Sequence, residues 1–305
     1  MGVPMRLTFL GTGSAWRVPE IGCDCVICEE MRRRGQTRSR TSLYLEAGER
    51  ILIDCGPDIT RQWAANSLAG VDAVLITHEH GDHYLGLDEL EALRRSAEPA
   101  RWRPIPVYAT EAAWETIEQR FAYLLGKALE RRVAQPGKPL GGLKTRIVPF
   151  KTFHGSVARG AVGYVVTAGK KRLVYTSDLL HVEEGKLLRR PQVLVIQTNW
   201  VNEPQVNRPS HLSLQRALTM IRDWQPQGRV FLVHISDADP VPGDPANVYL
   251  KKVPPADPLR DPRTREPYPI PTCQEEWQEL AIQVFADRGI EVPVQVAWDG
   301  LTVEI

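Results

Sequence analysis

The chain has 305 residues, enough for one large domain or two, and its 38 basic and 37 acidic side chains leave a formal net charge of +1. This balance excludes a global field that would draw the protein to nucleic acid or to anionic lipid. No apolar run approaches the ~20 residues that span a bilayer, and no signal sequence follows Met1. We therefore expect a cytoplasmic protein with no membrane partner.

A strand-like segment and a glycine-rich turn at 7–14 open the chain, and three of the five cysteines follow closely: Cys23, Cys25 and Cys28. The C-x-C-x-x-C spacing is too tight for unstrained disulfides within the cluster, but it suits thiolates around a tetrahedral zinc ion. A redox pair and unreactive buried thiols are the alternatives. Asp237 is the first candidate for a fourth zinc ligand, with Cys273 and Cys55 as alternatives.

The densest group of metal-binding side chains lies at 77–83, directly after the apolar run 71–76. A strand that ends in a tight turn lets His78 and His80 point the same way, while Asp82 and His83 fold back beneath them. Imidazoles and carboxylates at this density are costly to pack without a cation. The segment therefore predicts a metal site at a strand end, and one such loop can supply ligands to two ions.

Further polar residues end apolar runs along the chain: Asp54, His154, Asp178 and His234. Any one of them alone would more often be an ordinary polar residue at a strand end. Asp54 has two interpretations, since it could hold a ligand histidine in one tautomer through its second ring nitrogen or simply form the turn before Gly56.

Helical patterns alternate with short apolar runs in the rest of the chain. Thr110 is a candidate cap for a helix with apolar residues at three- and four-residue spacing, and 213–224 and 274–287 have similar patterns. This mixture fits two sheets packed face to face with helices outside. The proline-rich stretch from 239 to 271 disfavours regular structure, and a lid, a dimer arm and a surface loop all remain open.

The motifs, taken in this order, resemble the metallo-β-lactamase superfamily over nearly the whole sequence. The resemblance implies an α/β (α+β) fold, a four-layer αββα sandwich, as a single domain over 1–305 with a proline-rich insertion at about 239–271. It also implies two divalent ions, of zinc, manganese or iron, that share a hydroxide suited to hydrolysis. The implied ligands are His78, His80 and His154 for one ion, Asp82, His83 and His234 for the other, and Asp178 as the bridge.

The cysteine cluster makes the chain look like the branch that contains the phosphoribosyl cyclic-phosphate phosphodiesterase. That branch carries a histidine, here His211, which protonates the leaving alkoxide. Alternatively, Ser210 caps a helix and His211 lies in its first turn. Asp82 and His211 are thus the candidate catalytic residues of a phosphodiesterase that acts on a small cyclic phosphate or nucleotide-like phosphodiester, with one structural zinc besides the two active-site ions.

Three alternatives remain. Pyrroloquinoline quinone biosynthesis protein B shares the cysteine cluster and a similar ending at 297–305, and it implies an iron-dependent oxygenase, but that family usually lacks the full pair of leading histidines. The tRNA 3′-processing endonuclease shares the ligand order, yet the inserted basic arm that grips tRNA is missing here, so a nucleic-acid partner is disfavoured. The complete ligand set disfavours a non-catalytic scaffold, and a homodimer remains open.

Overall fold

The computed structural model describes residues 5–183, 185–207 and 211–305. In these residues the short apolar runs of the sequence form strands. The strands are β1 Arg6–Gly11, β2 Ser42–Glu46, β3 Arg50–Ile53, β4 Ala73–Leu75, β5 Ile105–Ala109, β6 Leu129–Val133, β7 Arg146–Phe153, β8 Val162–Ala168, β9 Lys171–Tyr175, β10 His181–Val182, β11 Val193–Gln197, β12 Arg229–Val233, β13 Val294–Val296 and β14 Thr302–Glu304.

Helices lie between many of these strands. They are α1 Val26–Arg33, α2 Ile59–Ala65, α3 Gly81–Tyr84, α4 Glu91–Arg95, α5 Glu111–Phe121, α6 Leu214–Trp224 and α7 Gln274–Asp287, with short 3-10 turns at Leu87–Leu90, Ala122–Leu124, Gly185–Leu188 and Pro245–Val248. The three helices expected from sequence periodicity are confirmed as α5, α6 and α7. The Thr110 side chain accepts a hydrogen bond from the Ala113 N–H at the start of α5, as a capping threonine does.

The strands form two seven-stranded sheets in the orders β14-β1-β2-β3-β4-β5-β6 and β10-β7-β8-β9-β11-β12-β13. Each sheet is antiparallel along one part and parallel along the other, where β3 to β6 and β9, β11, β12 and β13 run side by side. Strands of a parallel group end at the same edge of their sheet. The loops that follow them therefore meet there.

Side chains alternate between the two faces of a strand, so each sheet has an inner and an outer apolar face. The inner faces share one core, in which the rings of Phe9 and Phe231 lie 5.0 Å apart. The outer face of the second sheet packs on α6 and α7, and the outer face of the first sheet packs on α5 through Trp114. The layers are thus helices, sheet, sheet and helices, and the predicted αββα sandwich is confirmed.

The proline-rich segment 239–271, all of which the structure describes, contains one 3-10 turn and no α-helix or β-strand. Two of its side chains attach it to the beginning of the chain: Asp244 accepts a hydrogen bond from the Val26 N–H at 3.1 Å, and Tyr249 donates to the Asp24 carboxylate. The segment therefore lies against the N-terminal loop. That residues 1–305 form a single domain stays a prediction, as does a homodimer.

Among the described residues, the longest helix, α7, has 14 residues, and no helix has the length and apolar character needed to cross a bilayer.

Candidate metal centre

The predicted ligands and Asp54 lie in loops that follow the ends of five strands. β3 leads into Asp54, β4 into the histidine loop, β9 into Asp178 and β12 into His234. The antiparallel strand β7 leads into His154, so both sheets contribute to the site. The donor side chains therefore lie where the edges of the two sheets meet.

The histidine loop does not remain an irregular turn, because Gly81–Tyr84 forms the short helix α3. The His83 N–H donates to the His80 carbonyl at 3.0 Å, which folds Asp82 and His83 back as expected. A neighbouring glycine allows this: a Cβ on Gly56 would lie only 2.0 Å from the Asp82 carbonyl oxygen. The approach of two backbone segments thus requires glycine at position 56.

The first predicted ligand set is brought together. His78 and His154 are buried, His80 is half-buried, and one ring nitrogen of each lies within 4.8 Å of the others. His154 Nε2 is 3.2 Å from His80 Nδ1. Three imidazoles at this separation can share one cation in a geometry with an open position.

The second set is brought together as well. Donor atoms of Asp82, His83, Asp178 and His234 all lie within 4.8 Å of one another. Asp178 Oδ2 is 3.0 Å from His234 Nε2, 3.6 Å from His83 Nε2 and 3.7 Å from His154 Nε2. One carboxylate therefore touches members of both sets, which is the position that a bridging ligand needs.

One ring atom and one carboxylate atom of these sets are buried without a hydrogen bond to any described residue. They are His78 Nε2 and Asp178 Oδ1, whereas His83 Nε2 and His234 Nε2 each lie 3.0 Å from a carboxylate oxygen, of Asp82 and Asp178 respectively. A buried polar atom without a partner costs free energy, and this cost is removed when the atom binds a cation. The donor set therefore fits divalent metal ions.

Charge in the site points the same way. Burial opposes a charge on the His83 ring, yet carboxylates, first Asp82 and then Asp54, outweigh it and raise the pKa of His83 well above its usual value. Burial and then the neighbouring rings of His83 and His154 hold the pKa of His78 well below its usual value. Neutral imidazoles beside ionised carboxylates are what a metal ion requires, and a cation can replace the proton that the carboxylates hold on His83.

Asp54 supports the histidine loop from behind. Its Oδ2 lies 2.8 Å from His83 Nδ1, and its Oδ1 accepts the Thr77 N–H at 2.8 Å. The contact leaves His83 Nε2 for a metal ion and fixes the ring, as outer partners of metal-bound histidines do. Asp54 also has a φ of 63°, so the turn-forming role and the orienting role are present in one residue.

His211 also reaches the site and is not in the first turn of a helix, because α6 begins at Leu214 with Ser213 as its cap. His211 Nδ1 lies 3.5 Å from Asp178 Oδ2, and His211 forms a third possible donor group with Asp178 and His154. Burial lowers the pKa of His211 well below its usual value, although Asp178 opposes the shift. Ser210, the alternative cap, lies outside the described residues.

Gln197 is a site residue that the sequence analysis missed. Its Oε1 accepts the N–H groups of Leu179 and Leu212 at 3.0 and 3.1 Å, so its amide nitrogen must face the other way. That nitrogen lies 2.8 Å from His211 Nδ1 and 3.2 Å from His234 Nδ1. Gln197 thus orients His211, and the one signal for it is that it ends the apolar run of β11, as the ligands end theirs.

The cysteine cluster forms a separate group with Asp237, the first candidate for a fourth ligand. Asp237 Oδ2 lies 3.7, 3.5 and 2.9 Å from the sulfurs of Cys23, Cys25 and Cys28. Hydrogen bonding to Cys28 lowers the pKa of Cys25 to about 6, which favours a thiolate. One donor atom from each of these four residues lies within 4.8 Å of the others, so the residues fit a tetrahedral ion.

The two alternative fourth ligands lie elsewhere. Cys55 is fully buried in the apolar layer between the first sheet and its helices, and Cys273 lies at the N-cap position of α7 without a side-chain capping hydrogen bond. Neither belongs to the group of donors around the cysteine cluster.

Comparison with known proteins assigns the chain to a family. The model of the beta-lactamase superfamily domain matches residues 49–235. An octanoyltransferase from Porphyromonas gingivalis is 31% identical over 247 residues, which are 78% of this chain and 47% of that protein, so the chain spans about half the length of this relative.

Solved structures share the fold. A diphosphatase of the PhnP family has a TM-score of 0.72 at 22% identity, with 100% of this chain and 98% of that chain covered. Zn²⁺-bound PqqB from Methylobacterium extorquens has a TM-score of 0.71 at 19% identity, with 98% of this chain and 100% of that chain covered. At these identities the likeness is one of fold.

Asp54→Asn should weaken metal binding by the donor set that contains His83. An amide can still occupy the space, but it carries no charge to hold the His83 N–H, and loss of such an outer partner typically lowers metal affinity or activity by ~10–100-fold. Metal retention under competition with a chelator measures the effect. Asp72→Asn is the control, because Asp72 pairs with Arg50 at the sheet surface, and equal metal retention in both variants would contradict the orienting role.

Cys25→Ser should release one metal ion per chain and lower the melting temperature by at least about 5 °C, because a structural ion contributes directly to the free energy of folding. Activity should fall only as far as the fold loosens. Metal analysis with thermal unfolding tests this. A variant that keeps its full metal complement and its melting temperature would show that the cluster holds no ion.

Proposed function

The chain belongs to the beta-lactamase superfamily, whose members are mostly metal-dependent hydrolases, and on that premise we propose that it is a dinuclear metal-dependent phosphodiesterase. Its substrate is a small cyclic phosphate or a nucleotide-like phosphodiester. The observation that carries the proposal is the position of Asp178 between two complete donor sets.

Five of the chain's seven histidines belong to the two donor sets, and a sixth, His211, lies beside Asp178. His78, His80 and His154 would hold one ion, Asp82, His83 and His234 the other, and Asp178 would bridge them. Two divalent ions at such a site, whether zinc, manganese or iron, lower the pKa of water and stabilise both oxygens of an in-line displacement. Neither donor set lacks a member, which favours hydrolysis over oxygen-dependent chemistry at a single iron and over a non-catalytic scaffold.

His211 supplies the second part of the reaction in this proposal. A phosphodiester with an alkoxide leaving group needs a proton at the departing oxygen. The Gln197 amide donates to Nδ1 of His211, so the proton of the neutral ring is on Nε2, and the ring would take up a second proton before it acts as an acid. Asp178 lies close enough to stabilise positive charge on the ring.

Nucleic acid is the less favoured substrate. The basic run at 32–34 is occupied by ion pairs: Arg32 with Glu29, and Arg33 and Arg34 with Glu30. Paired arginines on an exposed helix face contribute little attraction for a phosphate backbone. This supports a small substrate held by the metal centre itself.

The metal-replete protein should hydrolyse bis(p-nitrophenyl) phosphate under anaerobic conditions, and His80→Ala should abolish that activity while the protein stays folded. Loss of His80 opens one ion site without affecting the apolar core. His181→Ala is the matched control, because His181 is exposed on β10 and belongs to none of the donor groups found among the described residues. Turnover that requires oxygen, or that persists in metal-replete His80→Ala, would refute the proposal.

His211→Ala should lower turnover ~10²–10⁴-fold on phosphodiesters with alkoxide leaving groups and far less on p-nitrophenyl esters, whose leaving group needs little protonation. Metal content should be unchanged. Both substrates are compared in wild type and variant with metal measured in each. Equal losses on both esters with metal retained would assign His211 to substrate positioning, and a loss of metal would make it a ligand.

A further inference from the structure

Lys251 lies against the cysteine cluster, although it comes from the proline-rich segment. Its Nζ is 3.1 Å from Cys23 Sγ, 2.5 Å from Asp237 Oδ2 and 2.8 Å from Glu20 Oε2. An ammonium has three donors, and all three have an acceptor here. Two of these acceptors belong to prospective ligands of the ion, so the lysine directly contacts the proposed ligand set.

The lysine is held in place at a cost. Its side chain is 21% exposed, and fixing a long flexible side chain loses up to ~2 kcal/mol of rotamer entropy. A solvated lysine at the surface would avoid that loss. The position is therefore explained only if the ammonium gains a compensating interaction with the groups around it.

Charge supplies that interaction. Three thiolates and one carboxylate carry four negative charges, of which a divalent ion cancels two. The excess lies among buried residues, where uncompensated charge is costly. Lys251 contacts the ligands directly, and the adjacent Lys252, only 6% exposed, donates to the carbonyl oxygens of Asp237 and Asp239 at 2.6 and 2.9 Å.

The same stretch of chain is attached to the N-terminal loop at two further points, through Asp244 to the Val26 N–H and through Tyr249 to Asp24. These contacts lie on either side of Cys25. Segment 244–252 therefore lies over the cluster. Lys251 is a side chain of this segment that contacts members of the cluster directly.

We propose that Lys251 is the charge-compensating partner of the ion at the cysteine site, and that the ion, through Lys251, holds segment 244–252 on the N-terminal loop. This inference rests on the proposed ion at that site. Lys251 is a positioning residue here and has no part in hydrolysis. The role of the proline-rich segment is then to complete a structural metal site.

The test uses cobalt(II) as a probe, because thiolate-bound cobalt gives a charge-transfer band that cobalt at the histidine and aspartate site does not. Wild type, Lys251→Met and Lys251→Arg are titrated against a chelator, with Tyr249→Phe as the control that loses a contact to the same loop but touches no ligand. Lys251→Met should lose the band at ~10–100-fold lower chelator concentration. Lys251→Arg and Tyr249→Phe should stay near wild type.

Equal retention in Lys251→Met and wild type would overturn the role of Lys251 alone, whereas a wild-type protein without the band would overturn the ion as well. Hydrogen exchange of the full-length wild type guards against a variant that fails to fold. Removal of the ion should speed exchange in 244–252 and leave α7 unchanged. Unchanged exchange in 244–252 would overturn the coupling between the ion and the segment.

Discussion

Asp178 carries a carboxylate that is 2% exposed and has the nitrogens of four histidines within 3.0–3.7 Å. A charge in such a place is tolerated only when opposite charge or strong donors surround it. Burial alone would raise its pKa, yet His234 and His83 hold the pKa of Asp178 well below its usual value. The loops after β4, β7, β9 and β12 must therefore all arrive at one point, and the two sheets must pack so that they do.

Many of the candidate site residues could be named from the sequence because the ends of strands can be recognised in it. An apolar run followed by a histidine or an aspartate indicates a side chain at the edge of a sheet. The order of such residues carried the family resemblance that implied the fold. Helices with a capping residue and regular apolar spacing, such as α5 after Thr110, were also within reach. These signals are local, and each requires only a short window of residues.

Three contacts between distant residues lay beyond that reasoning. Gln197 orients His211 because its carbonyl oxygen is taken by two backbone N–H groups from different loops, and no spacing in the sequence encodes this. Gly56 matters because another segment passes 2.0 Å from where its Cβ would be. Lys251 meets Cys23 across 228 positions. Each depends on how the sheets and loops pack, which only the folded chain defines.

The two donor sets have a mechanical consequence. Each set takes some members from loops of the first sheet, such as His78 and His83, and some from loops of the second, such as His154 and His234. Each ion would then cross-link the two sheets. Neither sheet could unfold alone without releasing both ions. Bound metal would therefore couple the two sheets, which share an apolar core, into one cooperative unfolding unit.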